Sequence, residues 1–121
     1  MRNIVGLCLT LLIVACGPAL TSKQAFVPDE FHMNRAQAKA AYNLRDPNAA
    51  QFRNIRGVSA KAETGVTANY ICGEINGKNA MGGYVGFTPF VYFISTDEAI
   101  VANRDLNGVN MFDQATFNKY C

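Results

Sequence analysis

The sequence predicts an α+β fold: an N-terminal helix, a small, mostly antiparallel sheet of about four strands, and a short C-terminal helix. Three observations predict it. A segment with a helix-capping start, residues 29–45, precedes the strand-like stretches. Those stretches, rich in β-branched and aromatic residues, then follow one another across turn residues, without the helical crossovers that parallel strands need. The chain closes on a second helical stretch, residues 110–120. Helices set apart from a run of strands define the α+β class.

The first helix reads over 29–45. Asp29 follows Pro28 and can cap the first turn. At about 100° per residue Phe31, Ala38, Ala41 and Tyr42 share a face, with Met33, Gln37 and Leu44 elsewhere. The stripe is rich in alanine, which predicts close packing on a sheet. "RDPNAAQF" starts a shorter helical turn, with Asp46 as cap and Pro47 at the first helical position, ending near Phe52.

Four strands are expected next. "RNIRGVSAKAE" is the first, with Gly57 shifting the alternation and suggesting a bulge. In "VTANYICGEIN" Ala68, Tyr70 and Cys72 fall on one face, and Ile71 and Ile75 on the other. "GYVGFTPFVYFI" is apolar on both faces and is expected to be central or most buried. Pro89 cannot donate to a ladder, so this run is expected to split into two half-strands, with a bulge or an edge at the proline. "STDE" is a turn, "AIVAN" the fourth strand, "NRDLNG" another turn, and "NMFDQATFNKY" the closing helix.

The N-terminus carries a different signal. Arg2 precedes an apolar run from Ile4 to Val14, too short for the roughly 20 residues of a membrane span but suited to the core of an export signal. The run ends in Ile13-Val14-Ala15-Cys16, which resembles the lipobox of bacterial lipoproteins. The resemblance implies cleavage before Cys16, a diacylglycerol on its thiol and an acyl chain on its new amine. Residues 1–15 are then the signal peptide, 16–28 a lipidated tether and 29–121 a single domain. Gly17 after the cysteine is similar to the pattern of outer-membrane lipoproteins. The implied location is the bacterial cell envelope, anchored by lipid in the outer membrane and facing the periplasm. A plain secreted protein with a chance cysteine is the alternative.

Of the four cysteines, Cys8 leaves with the signal and Cys16 takes lipid. Cys72 and Cys121 remain, in an export setting where disulfides persist, and their spacing is far from that of a zinc or thioredoxin-like motif. A Cys72–Cys121 bridge is therefore expected, tying down a C-terminus that would otherwise fray.

Composition narrows the function. The 121 residues hold 11 Lys and Arg against 9 Asp and Glu, with no basic block, which argues against a nucleic-acid partner. One histidine, His32, cannot build a histidine metal cluster, and neither a metal nor a cofactor beyond the lipid is expected. Gly77, Gly82, Gly83 and Gly86 suggest a phosphate cradle, but they run into a strand and not a helix N-terminus. A turn at Asn76-Gly77, with Gly82-Gly83 supplying unusual backbone angles, is the better reading.

Two segments resemble a small domain of uncharacterised exported proteins of proteobacteria and their prophages. The matching residues are Asp46, Pro47, Ala50, Phe52, Arg53 and Asn54. They continue with Cys72, Gly73, Glu74, Asn76, Lys78, Asn79, Gly82, Gly83, Tyr84, Gly86 and Phe87, and end with Cys121. The resemblance spans about 46–121, supports the fold and the disulfide, and implies no activity.

Glu74 with Arg53 and Lys78 could make a general base beside a cation, yet no nucleophile, second carboxylate or histidine is placed to help. The favoured reading is a structural network in which Arg53 or Lys78 holds Glu74, Asn54 joins it, and Asn76 and Asn79 bond loop backbone. The sharper expectation is a binding loop of Glu74, Asn76, Lys78, Asn79, Gly82, Gly83, Tyr84 and Phe87, with part of the run Tyr84, Phe87, Phe90, Tyr92, Phe93 left exposed. No catalytic residue is assigned. The chain is thus expected to be a non-catalytic envelope binding module, its partner a protein or peptidoglycan. Inhibition of a cell-wall hydrolase and prophage-encoded superinfection exclusion are the alternatives.

Overall fold

The computed structural model describes residues 20–102 and 114–121. Five strands form one sheet in the order of the chain: β1 (Leu20–Phe26), β2 (Gln51–Ala62), β3 (Thr67–Lys78), β4 (Tyr84–Phe93) and β5 (Glu98–Val101). Every neighbouring pair is antiparallel. Helix α1 (Glu30–Ala41) lies between β1 and β2 in sequence, and α2 (Gln114–Tyr120) comes last.

The extra strand is β1, taken from a segment read as tether. Its residues Thr21 to Ala25 are all exposed, so it has no apolar alternation to betray it. It is held by its backbone ladder to β2, from Leu20 opposite Ala62 to Phe26 opposite Gly57. The predicted bulge at Gly57 is also corrected. The register slips instead between Arg53 and Arg56, where Asn54 takes φ 55°, a left-handed angle that asparagine tolerates. Gly57 answers a different need, since a Cβ there would stand 2.6 Å from the Phe26 ring.

The sheet separates two apolar layers, as the alternation of β3 requires. On one face Ala36, Ala40 and Ala41 of α1 pack with Ile71, Ile75, Phe90 and Tyr92. On the other, Phe117 of α2 packs with Val58, Ala60, Tyr70, Cys72, Val91 and Ala102. The α1 contact face is therefore not the predicted one: Phe31 and Tyr42 are exposed, and the small side chains let the helix approach the sheet. Asp29 does cap α1, its Oδ1 accepting from the His32 N–H at 2.8 Å. The helix stops at Ala41, short of 45, and the following turn is a 3-10 turn over Pro47–Ala49 without a side-chain cap from Asp46.

β4 is unbroken through Pro89, and only Phe90, Val91 and Tyr92 are fully buried in it; the central strand is β3. Pro89 nonetheless marks an edge. The β5 ladder begins at Phe90 opposite Val101, and the Ala102 N–H donates to the Pro89 carbonyl at 2.8 Å.

Two fastenings hold the helices. Cys72, buried in the middle of β3, is disulfide-bonded to Cys121 with Cα atoms 6.1 Å apart. Beside it the Tyr70 hydroxyl donates to the Tyr120 carbonyl, and burial pushes that phenol up to about 12. On the opposite face Asp97, in the β4–β5 turn, accepts from both Nε and Nη2 of Arg35 and from the Tyr92 hydroxyl at 2.8 Å. Lys39 Nζ stands 3.3 Å from the same carboxylate. The predicted 103–108 turn, the first residues of the predicted closing helix, the leader and Cys16 lie outside the described residues. Among the described residues no helix is long and apolar enough to cross a membrane.

Candidate functional site

The candidate residues gather at one end of the sheet, where β3 turns into β4, but they divide into two groups. The first is a cluster across β2, β3 and β4. Arg53 and Glu74 are register partners, which puts their side chains on the same face. The guanidinium grips the carboxylate with two bonds, Nε to Oε2 at 3.1 Å and Nη2 to Oε1 at 3.2 Å. The Asn54 amide adds a bond to Oε2 at 2.6 Å, which its left-handed backbone makes reachable. The Arg53 guanidinium also lies over the Phe87 ring at 3.9 Å.

The Arg53 bonds hold the Glu74 carboxyl below its ordinary range; burial pulls the other way, and Asn54 adds to the lowering. The carboxylate is thus ionised with both oxygens engaged, which makes it a weak base. Lys78 does not share it, and its ammonium sits 5.3 Å over the Tyr84 ring. An open cleft of about 550 Å³ lies beside this cluster, lined by Asn54, Ile55, Arg56, Glu74, Phe87, Pro89 and Phe117. Arg56 donates from Nη1 to the Asn54 carbonyl at 3.1 Å. Arg56 sits opposite Cys72 on β3, a placement that the strand register makes and no motif in the sequence marks. Phe117 comes from α2, and only the tertiary fold brings it there.

The second group shapes the hairpin tip. Asn79 Oδ1 accepts from the Met81 and Gly83 N–H groups, both at 3.0 Å, and the Asn79 N–H donates to the Gly83 carbonyl at 2.8 Å. Gly82 takes φ +79°, open to glycine at no steric cost. A register slip between Asn76 and Lys78 is fixed by the Gly86 N–H donating to Asn76 Oδ1 at 3.0 Å, while Asn76 Nδ2 reaches Gln51. The Tyr84 hydroxyl donates to the Ala49 carbonyl at 2.9 Å, tying the tip to the 3-10 turn. On this pinned backbone Met81 is 92% exposed, Val85 64% and Tyr84 43%. Met81 lies in a turn, where no periodicity places a side chain, and Val85 in a strand run that is apolar on both faces, so neither is marked in the sequence as exposed.

Of the other aromatic residues in the run, Phe90 and Tyr92 are buried, and Phe93 packs on Tyr70 and Tyr120. His32 lies in the first turn of α1, its Nδ1 2.7 Å from Oδ2 of the capping Asp29. Among the described residues no group of three or more His, Cys, Asp or Glu could hold a metal ion. No family model matches the chain, and neither a curated protein nor a solved structure matches it.

Proposed function

We propose that this chain is a lipid-anchored lipoprotein of the bacterial cell envelope, attached through Cys16 to the outer membrane and facing the periplasm. Its folded domain acts by binding, without catalysis, and the β3–β4 hairpin tip is the contact surface. The observation that carries the binding reading is that tip. Met81, Val85 and Tyr84 present apolar surface on a backbone that Asn76 and Asn79 fix in advance. A preset loop loses little conformational freedom on binding, and exposed apolar and aromatic side chains suit the core of a protein interface. An envelope protein is therefore the partner this surface fits. The anchor reading is supported by the apolar run from Ile4 to Val14 and by Ile13-Val14-Ala15-Cys16.

The test is site-specific photocrosslinking in intact envelopes, with the reactive residue at Met81 and a control at exposed Asn34 on α1. A protein adduct at position 81 alone supports the reading, and an adduct with a wall-degrading enzyme would narrow it to inhibition. Adducts with glycan strands would replace the protein partner by peptidoglycan. No adduct at position 81, from protein shown to be lipidated and disulfide-bonded, would refute the tip as a contact surface.

A further inference from the structure

We propose that the corner of the sheet formed by Leu20 and the β2–β3 turn, residues 63–66, rests on phospholipid headgroups and that the hairpin tip at 79–83 points away from them. This placement rests on lipid attachment at Cys16. The first argument is chain length. Cys16 and Leu20 are four residues apart, so their Cα atoms can be separated by no more than roughly 14 Å. The tether expected to run to residue 28 is consumed by β1, which is paired to β2 along its length. The domain therefore cannot drift from the surface that holds the lipid.

The second argument is register. Leu20 is opposite Ala62, the last residue of β2, and the Thr21 hydroxyl donates to the Lys61 carbonyl at 3.0 Å. The β2–β3 turn is closed beside it, with the Gly65 N–H donating to the Ala62 carbonyl and the Ala62 N–H to the Val66 carbonyl, each at 2.9 Å. The opposite end of β3 carries the hairpin tip. From Thr67 to Lys78 the strand rises roughly 36 Å, so the tip is at the far end of the sheet from the anchor.

The third argument is chemistry. The corner joins an exposed Val66 and the partly buried Leu20 to Lys61, with Glu63 as the acid of the turn; Lys23, further along β1, donates instead to the Asn118 and Lys119 carbonyls of α2. A small apolar group beside a lysine stem suits the headgroup boundary, where the stem lies against apolar surface and the ammonium meets phosphate. The tip's Met81 is then free to meet a partner from the periplasm, and not the bilayer that anchors the chain.

The test uses the lipidated chain purified from envelopes, in phosphatidylethanolamine–phosphatidylglycerol vesicles containing a headgroup-spin-labelled lipid. A fluorophore is placed on Thr64→Cys or on Met81→Cys; in the lipidated, disulfide-bonded chain each is the single free thiol. Mass spectrometry first establishes the acyl chains on Cys16. Quenching several-fold stronger at position 64 than at position 81 is expected, and loss of quenching at both in Cys16→Ser. Equal quenching, or stronger quenching at 81, in lipidated protein overturns the orientation alone. A Cys16 without lipid overturns the orientation together with the anchor on which it rests.

Discussion

Cutting the Cys72–Cys121 bridge should cost this domain a large part of its stability, and the size follows from its position. The bond joins the last residue to the middle of β3 over a separation of 49 residues. In the chain-entropy account a loop of that size restricts the unfolded chain by about 4 kcal/mol at 25 °C. Cys121→Ser is the appropriate variant, because Cys72 stays in place and a buried thiol behaves as a small apolar group. Each kcal/mol moves the midpoint of a domain near 100 residues by about 4–8 °C, so the midpoint should fall by roughly 20 °C. The comparison is a circular-dichroism melt of Cys121→Ser against the oxidised parent, both carrying Cys16→Ser so that neither is acylated. If the effect lies in the unfolded chain, the urea m-value should rise in the variant, because the freed chain exposes more surface. A midpoint lowered by only a few degrees, with an unchanged m-value, would refute the reasoning. It would mean that the Tyr70–Tyr120 hydrogen bond and ring packing hold α2 without the bridge.

Three further outcomes follow from contacts described above. Asp97 is held well below the usual carboxylate range by Arg35 first, then by Tyr92 and Lys39, so its stabilisation is full above that range and is lost as pH falls through the folded value. Asp97→Asn, which keeps a residue tolerant of the φ of 56°, should lower the melting temperature at neutral pH and flatten its decline in acid; an unchanged acid slope would count against the Asp97 contacts. Arg53→Ala should raise the Glu74 pKa towards its ordinary value in a carboxyl-carbon NMR titration and cost about 1 kcal/mol, the scale of a largely exposed ion pair; an unmoved titration would remove the network. Gly73→Ala would bring a Cβ to 2.8 Å from the buried Phe90 ring, so a loss of about 1–3 kcal/mol in urea unfolding is expected, and a neutral effect would show that Phe90 has room to move.

Legibility differed from element to element for physical reasons. The two faces of β3 were readable because both are buried, and period-two alternation then sorts Tyr70 and Cys72 from Ile71 and Ile75. The start of α1 was readable because Asp29 performs a local task. Its buried face was not, since Ala36 and Ala40 win their place by being small while Phe31 and Tyr42 stay in solvent. β1 was invisible for a related reason: an edge strand held by backbone bonds leaves no mark in its side chains. In the candidate site Glu74 was readable as a carboxylate needing a cation, but the choice of Arg53 over Lys78 is made by strand register. The bulge at Asn54 was missed because asparagine, like glycine, accepts a left-handed backbone, and the more obvious Gly57 drew the prediction.

The plain succession of the strands bears on how the molecule comes into being. Each strand has its sequence neighbour as partner, so the sheet can grow hairpin by hairpin, with α1 as the largest excursion between adjacent partners. Pairings close in sequence need little loop closure, and chains built on them reach their native contacts quickly. The sulfur bond is the opposite case. One of its partners is in the strand that must be flanked on both sides, and the other lies 49 residues further along the chain, just past α2. The bridge clasps an arrangement that α2 also reaches by packing Tyr120 on Tyr70 and Phe93.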